Sequence, residues 1–185
     1  DSSAPGQPTN VTSTLADGTY GIGQVVDIRV TFPEAVYVTG TPQLTLVRIT
    51  PATTVAVNYA SGSGTNTLTF NYTVQSGDSS SDLDYQAINS LGLNGGTITD
   101  IAGNSAALTL PAPAGAGSLA GNKTIGLNGV VSGTITYDQG GNTTGPFKTG
   151  TVTITATYAT APGSTPTIAI NQQGTNDIAA TAMSG

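Results

Sequence analysis

The sequence predicts an all-β fold, an antiparallel sandwich, on three observations. Apolar and polar residues alternate with a period of two: in VVDIRVTF, Val26, Ile28, Val30 and Phe32 share one face, and Asp27, Arg29 and Thr31 the other. Such stretches recur about every 8–12 residues, separated by Gly, Pro and Asn, the spacing of strands and turns in sandwiches. No segment sustains the apolar period of a helix.

Taken in order, Pro5 and Pro8 give an extended start, and Val11–Tyr20 holds a short strand and an Asp17-Gly18 turn. Val25–Phe32 is a half-buried strand, which Pro33 must kink or place at an edge. VYVTG and PQLTLVRI follow as strands, then Thr54–Ala60, a turn at SGSGTN, and TLTFNYTV with Leu68, Phe70, Tyr72 and Val74 inward. SDLDY reads as a short strand with Leu83 and Tyr85 inward and Asp82 and Asp84 outward. TITD is brief, AALTLPAP ends a strand in proline, GAGSLAGN reads as a loop, and KTIGLNG is the last strand of the unit.

Composition narrows the function. The chain has 185 residues, 8% of them charged, with 4 basic and 10 acidic residues and a net charge of −6. Arg29, Arg48, Lys123 and Lys148 are too few and too scattered to make a phosphate-binding stripe, which argues against nucleic acid as partner. There is no Cys, so disulfides and thiolate metal sites are excluded, and there is no His to act as base for a serine nucleophile. Glu34 is the only Glu, placed after Pro33 where a turn residue is expected. No apolar run reaches the roughly 18 residues of a membrane span. A surface of Thr, Ser, Gly and Asn that hardly titrates suits a secreted, extracellular or cell-surface protein, and weak charge repulsion between copies favours self-association.

After Gly129 the pattern restarts. SGTITYDQGG echoes VTSTLADG, and Phe147–Ile170 echoes Tyr20–Leu46, with Ile154 answering Ile28, Tyr158 answering Phe32 and Pro166 answering Pro42. DIAATAMSG answers TVAVNYASG, so the second unit matches only the first half of the first. The expected division is a complete unit over residues 1–126 and the first half of another over 127–185. The inward faces of that half, Ile154, Tyr158, Ile168, Ile170 and Ile178, need a cover. Two explanations stay open: the polypeptide continues past Gly185, or a neighbouring copy supplies the missing strands and the chains self-associate head to tail.

The stretches VTFPEAVYVTGTPQLTL, NYASGSGTNTLTFNYTVQSGD, SDLDY, LGLNGGTITDIAGNSAALTLP and GSLAGNKTI carry a resemblance. In order and spacing, Pro8–Ile125 resembles the tandem Ig-like repeats of very large bacterial surface proteins, including those named after cyanobacterial swimming motility. The second unit is similar to part of a related bacterial Ig-like repeat. The resemblance implies an Ig-like sandwich and a secreted, repetitive, non-enzymatic filament or stalk segment, with adjacent repeats or other copies as partners. An adhesin module that binds glycan or a host surface is the alternative. It implies no catalytic residue.

Three sets of candidate sites follow. Asp78, Asp82, Asp84 and Asp100 lie close in sequence, and Asp82 and Asp84 project from the same face of a strand about 6.6 Å apart along it. They suit calcium, which takes six to eight oxygens, but Asp in turns equally accepts backbone N–H bonds. Asn10, Asn71, Asn122 and Asn142 each begin an N-x-Thr glycosylation acceptor, which an Asn- and Thr-rich chain also produces by chance. The inward residues of the second unit form the candidate self-association surface.

Overall fold

The structure, a computed structural model, describes residues 3–49, 53–129, 133–138, 153–158, 167–170 and 178–182. The chain divides into two compact units, Asp1–Val130 and Val131–Gly185. The expected all-β, sandwich-like class holds.

Unit 1 begins with β1 (Asn10–Thr12) and β2 (Gly18–Gly21), followed by the long β3 (Val25–Thr39). β4 (Gln43–Ile49), β5 (Thr53–Ser61) and β6 (Thr65–Thr73) continue the meander. Then come three short strands, β7 (Ser79–Ser80), β8 (Leu91–Gly92) and β9 (Thr97–Thr99), one helical turn, α1 (Leu119–Asn122), and β10 (Ile125–Asn128).

Hydrogen bonds connect the strands in the order β1-β3-β6-β5-β4-β7-β10-β2, with β8 on β4 and β9 on β3. The path turns back on itself through β5, which pairs with β4 over Thr53–Asn58 and with β6 at Tyr59 and Ser61. Its two ends, β1 and β2, are consecutive in sequence. Most pairs are antiparallel, as expected, but β10 runs parallel to β2, Ile125 opposite Gly18 through Asn128 opposite Gly21.

The alternating residues form the core. Val26, Ile28 and Val30 of β3 face Tyr72, Phe70 and Leu68 of β6 in register, and Phe32, Leu44, Leu46, Leu83, Tyr85 and Ile125 complete the packing. Pro33 sits where expected in kind. β3 advances from Thr31 to Val36 while β6 moves only from Thr67 to Thr65, a bulge that absorbs the missing proline N–H.

Two expected strands are irregular. SDLDY is extended without a ladder: Leu83 N–H goes to Ile125, while Asp84 C=O takes Val47 N–H. In AALTLPAP, Ala106, Ala107 and Leu110 donate to Ile98, Pro5 and Ile88, three separate partners, so no ladder can form. Within GAGSLAGN the structure has the helical turn α1, whose Ser118 hydroxyl accepts from Gly121 N–H at 2.9 Å.

In unit 2, β11 (Gly133–Asp138) pairs antiparallel with β12 (Thr153–Tyr158), and β13 (Thr167–Ile170) with β14 (Ile178–Ala182). Ile154 lies opposite Tyr137, Tyr158 opposite Gly133, Ile168 opposite Thr181, and Ile170 opposite Ile178.

Candidate functional site

The four candidate carboxylates occupy four different settings. Asp78 follows the tight turn at Gly77 (φ 87°), and its side chain is fully buried. One oxygen takes an Arg48 guanidinium N–H at 3.1 Å; the other takes the Tyr72 hydroxyl and Gln75 N–H, the latter at 2.7 Å. Burial, and then the bond to this carboxylate, raises the Tyr72 pKa well above that of a free phenol. Asp78 therefore joins β4, β6 and the turn after β6 as one charge-assisted knot.

Asp84 accepts Tyr85 N–H at 2.9 Å on one oxygen and Ala114 N–H at 2.8 Å on the other. Ala114 has φ 58°, a left-handed conformation costly for alanine, and its bond to Asp84 helps hold it there. The neighbouring Tyr85 ring is buried, its hydroxyl donates to Pro111 C=O at 2.6 Å, and burial followed by the Asp84 charge raises its pKa.

Asp100 closes a five-residue loop. Its oxygens accept Asn104 N–H at 2.8 Å and the Asn104 side-chain amide at 2.7 Å, while its own N–H donates to Asn104 C=O. The Asn104 side-chain bond is the chief cause of its lowered pKa. The loop carries Ile101, which is 82% exposed.

Asp82 differs from these. It accepts Ile125 N–H at 3.2 Å on one oxygen. Burial is the main reason its pKa is raised; the bond from Ile125 opposes the rise, and the charges of Asp84 and Asp17 add to it. Among the described residues, no three acidic groups gather at metal-binding distance, and every buried side-chain nitrogen or oxygen has a hydrogen-bond partner.

The glycosylation acceptors also separate. Asn71 is exposed on β6. It borders an open surface depression of about 330 Å³ where β5 parts from β6, lined by Val55, Ala56, Val57, Asn58, Tyr72, Thr73 and Gln75 and free of charged side chains. Asn122 is committed instead: its amide nitrogen donates to Asn10 Oδ1 at 2.9 Å and to Val11 C=O at 2.8 Å, which occupies both of its hydrogens and the Asn10 oxygen. Asn142 lies outside the described residues. Of the proposed self-association residues, Ile154 is half-buried.

Reading the sequence alone missed Asp27, Arg48 and Lys123 as organising residues. Asp27 of β3 accepts the Ser13 hydroxyl at 2.7 Å, and Thr14 through both its N–H and its hydroxyl, pinning the crossover between β1 and β2. Lys123 Nζ donates to Leu15 C=O at 2.8 Å. A charged residue on the polar face of a strand was the only hint of Asp27, and it does not name a partner fourteen residues away.

No family model, curated protein or solved structure matched this chain. Among the described residues no helix is long and apolar enough to cross a membrane.

Proposed function

We propose that the chain is a non-enzymatic structural segment of an extracellular bacterial filament, stalk or surface array built from Ig-like units joined end to end. The observation that carries this reading is where the chain enters and leaves unit 1. Thr9 N–H bonds Thr31 C=O, Gly6 lies against Pro33, and Pro5 C=O accepts from Ala107, so the incoming chain meets β3 beyond its middle. The outgoing chain at Gly129 pairs with Gly77 and Asp78, beside the start of β3, where Gly23 N–H bonds Val74 C=O. Arrival past the middle of β3 and departure beside its start are separated along the strand, the arrangement a linear series needs.

The charge-poor composition, the absence of His and Cys and the single Glu support a structural rather than a catalytic role. Completion of unit 2 by strands of a neighbouring chain belongs to the same reading, through Ile154, Tyr158, Ile168, Ile170 and Ile178. An adhesin role is the second reading, favoured by the open, uncharged depression that Asn58, Asn71 and Gln75 line with amides, groups suited to sugar hydroxyls.

Negative-stain electron microscopy of the native material tests the first reading. Regular fibres or stalks are expected. Isolated compact particles that bind a glycan array overturn it in favour of the second.

A further inference from the structure

The first and last segments of unit 1 are sewn to each other along their length. Val11 N–H donates to Gly117 C=O at 2.7 Å, and the Asn122 amide bridges Asn10 and Val11. Further along, Lys123 reaches Leu15, and Thr124 N–H bonds Asp17 Oδ1 at 3.0 Å. Gly18 N–H then bonds Thr124 C=O at 3.0 Å and opens the parallel β2–β10 ladder. Beyond the ladder, Gly129 exchanges backbone bonds with Gly77 and Asp78 at 2.9 and 2.7 Å, and Asp78 is anchored by Arg48.

Direction is what gives this seam a mechanical consequence. β2 and β10 run parallel, while the chain arrives past the middle of β3 and leaves beside its start. Tension between the two ends pulls β2 backwards along its axis and β10 forwards along its own. Bonds loaded along the strands share the load and fail together; bonds loaded across them open one after another. Asp27, holding Ser13 and Thr14, keeps the crossover from peeling away before the ladder is loaded.

We propose that unit 1 is a load-bearing module whose seam, residues 10–21 against residues 117–129, carries axial tension in shear. The inference rests on the end-to-end reading only for why tension arises; the resistance is a property of the fold.

The chain has no Cys, so two introduced cysteines define a single pulling axis. In the full chain, Ala16→Cys with Asn128→Cys loads the β2–β10 ladder in shear, while Ala16→Cys with Thr124→Cys unzips it from one end; all three side chains are exposed. Forced unfolding reports the unfolding barrier along each axis. A several-fold higher rupture force along the shear axis is expected. Equal forces along both axes overturn the proposal and leave the filament reading to be decided by microscopy.

Discussion

Asp78 shows how much one side chain can organise. Its carboxylate is buried beneath a guanidinium that remains 29% exposed, and it also holds a phenol and a backbone N–H. Asp78→Ala strands all three donors, and breaking such a pair costs about 3 kcal/mol, the lower part of the buried range because Arg48 is partly wet. Urea unfolding of the variant checks this. The pH dependence divides between two other aspartates. Asp100 has a lowered pKa, so the stability it contributes is present above the unfolded value of 3.8 and is lost as pH falls through the folded value. Asp82 has a raised pKa, so its charge costs stability above the folded value, and the cost vanishes below 3.8. Asp82→Asn, which keeps an acceptor for Ile125, is therefore expected to raise Tm at pH 7 and leave it unchanged at pH 3; a drop in Tm at pH 7 would contradict the assigned cause. The crowding of aspartates between residues 78 and 100 was legible in the sequence. Three of their partners were not, because Arg48 and Ile125 come from distant strands and Ala114 from a distant turn that only the fold brings near.

At the scale of elements, alternation located β3, β5 and β6 and assigned the inward faces of β3 and β6 correctly, because each has one face on the core. It failed where a segment bonds to several neighbours in turn. Ser81–Tyr85 and Ala106–Pro113 keep inward apolar residues, yet their amides go to separate partners and no ladder forms. The parallel pairing of β2 with β10 was equally hidden, since no local pattern encodes which early strand the last one returns beside. Two glycines on these elements test the seam locally. At Gly129 a Cβ would run into Gln75 C=O and the Asp78 N–H, so Gly129→Ala is expected to cost about 1–3 kcal/mol by forcing the outgoing chain off its latch. At Gly18 nothing lies within 4 Å of a Cβ, so Gly18→Ala should leave the urea midpoint nearly unchanged. Equal losses at both positions would show that the latch at Gly129 is no more constrained than the open strand.

For the whole molecule, the sequence indicated an all-β repeat protein with an echo of its first half after Gly129, while the positions at which the chain meets and leaves unit 1 emerge only from the strand order. Those positions underlie both the end-to-end assembly and the shear seam. From Val25 to Thr31, β3 extends about 20 Å at the usual strand rise, and Gln7 lies two residues beyond Thr9, which bonds Thr31. Spin labels on Gln7→Cys and Asn128→Cys in the full chain measure the separation of arrival and departure directly, and both side chains are exposed. A distance distribution centred near or above about 25 Å is expected. A distribution centred below about 15 Å would place arrival and departure side by side and contradict the account.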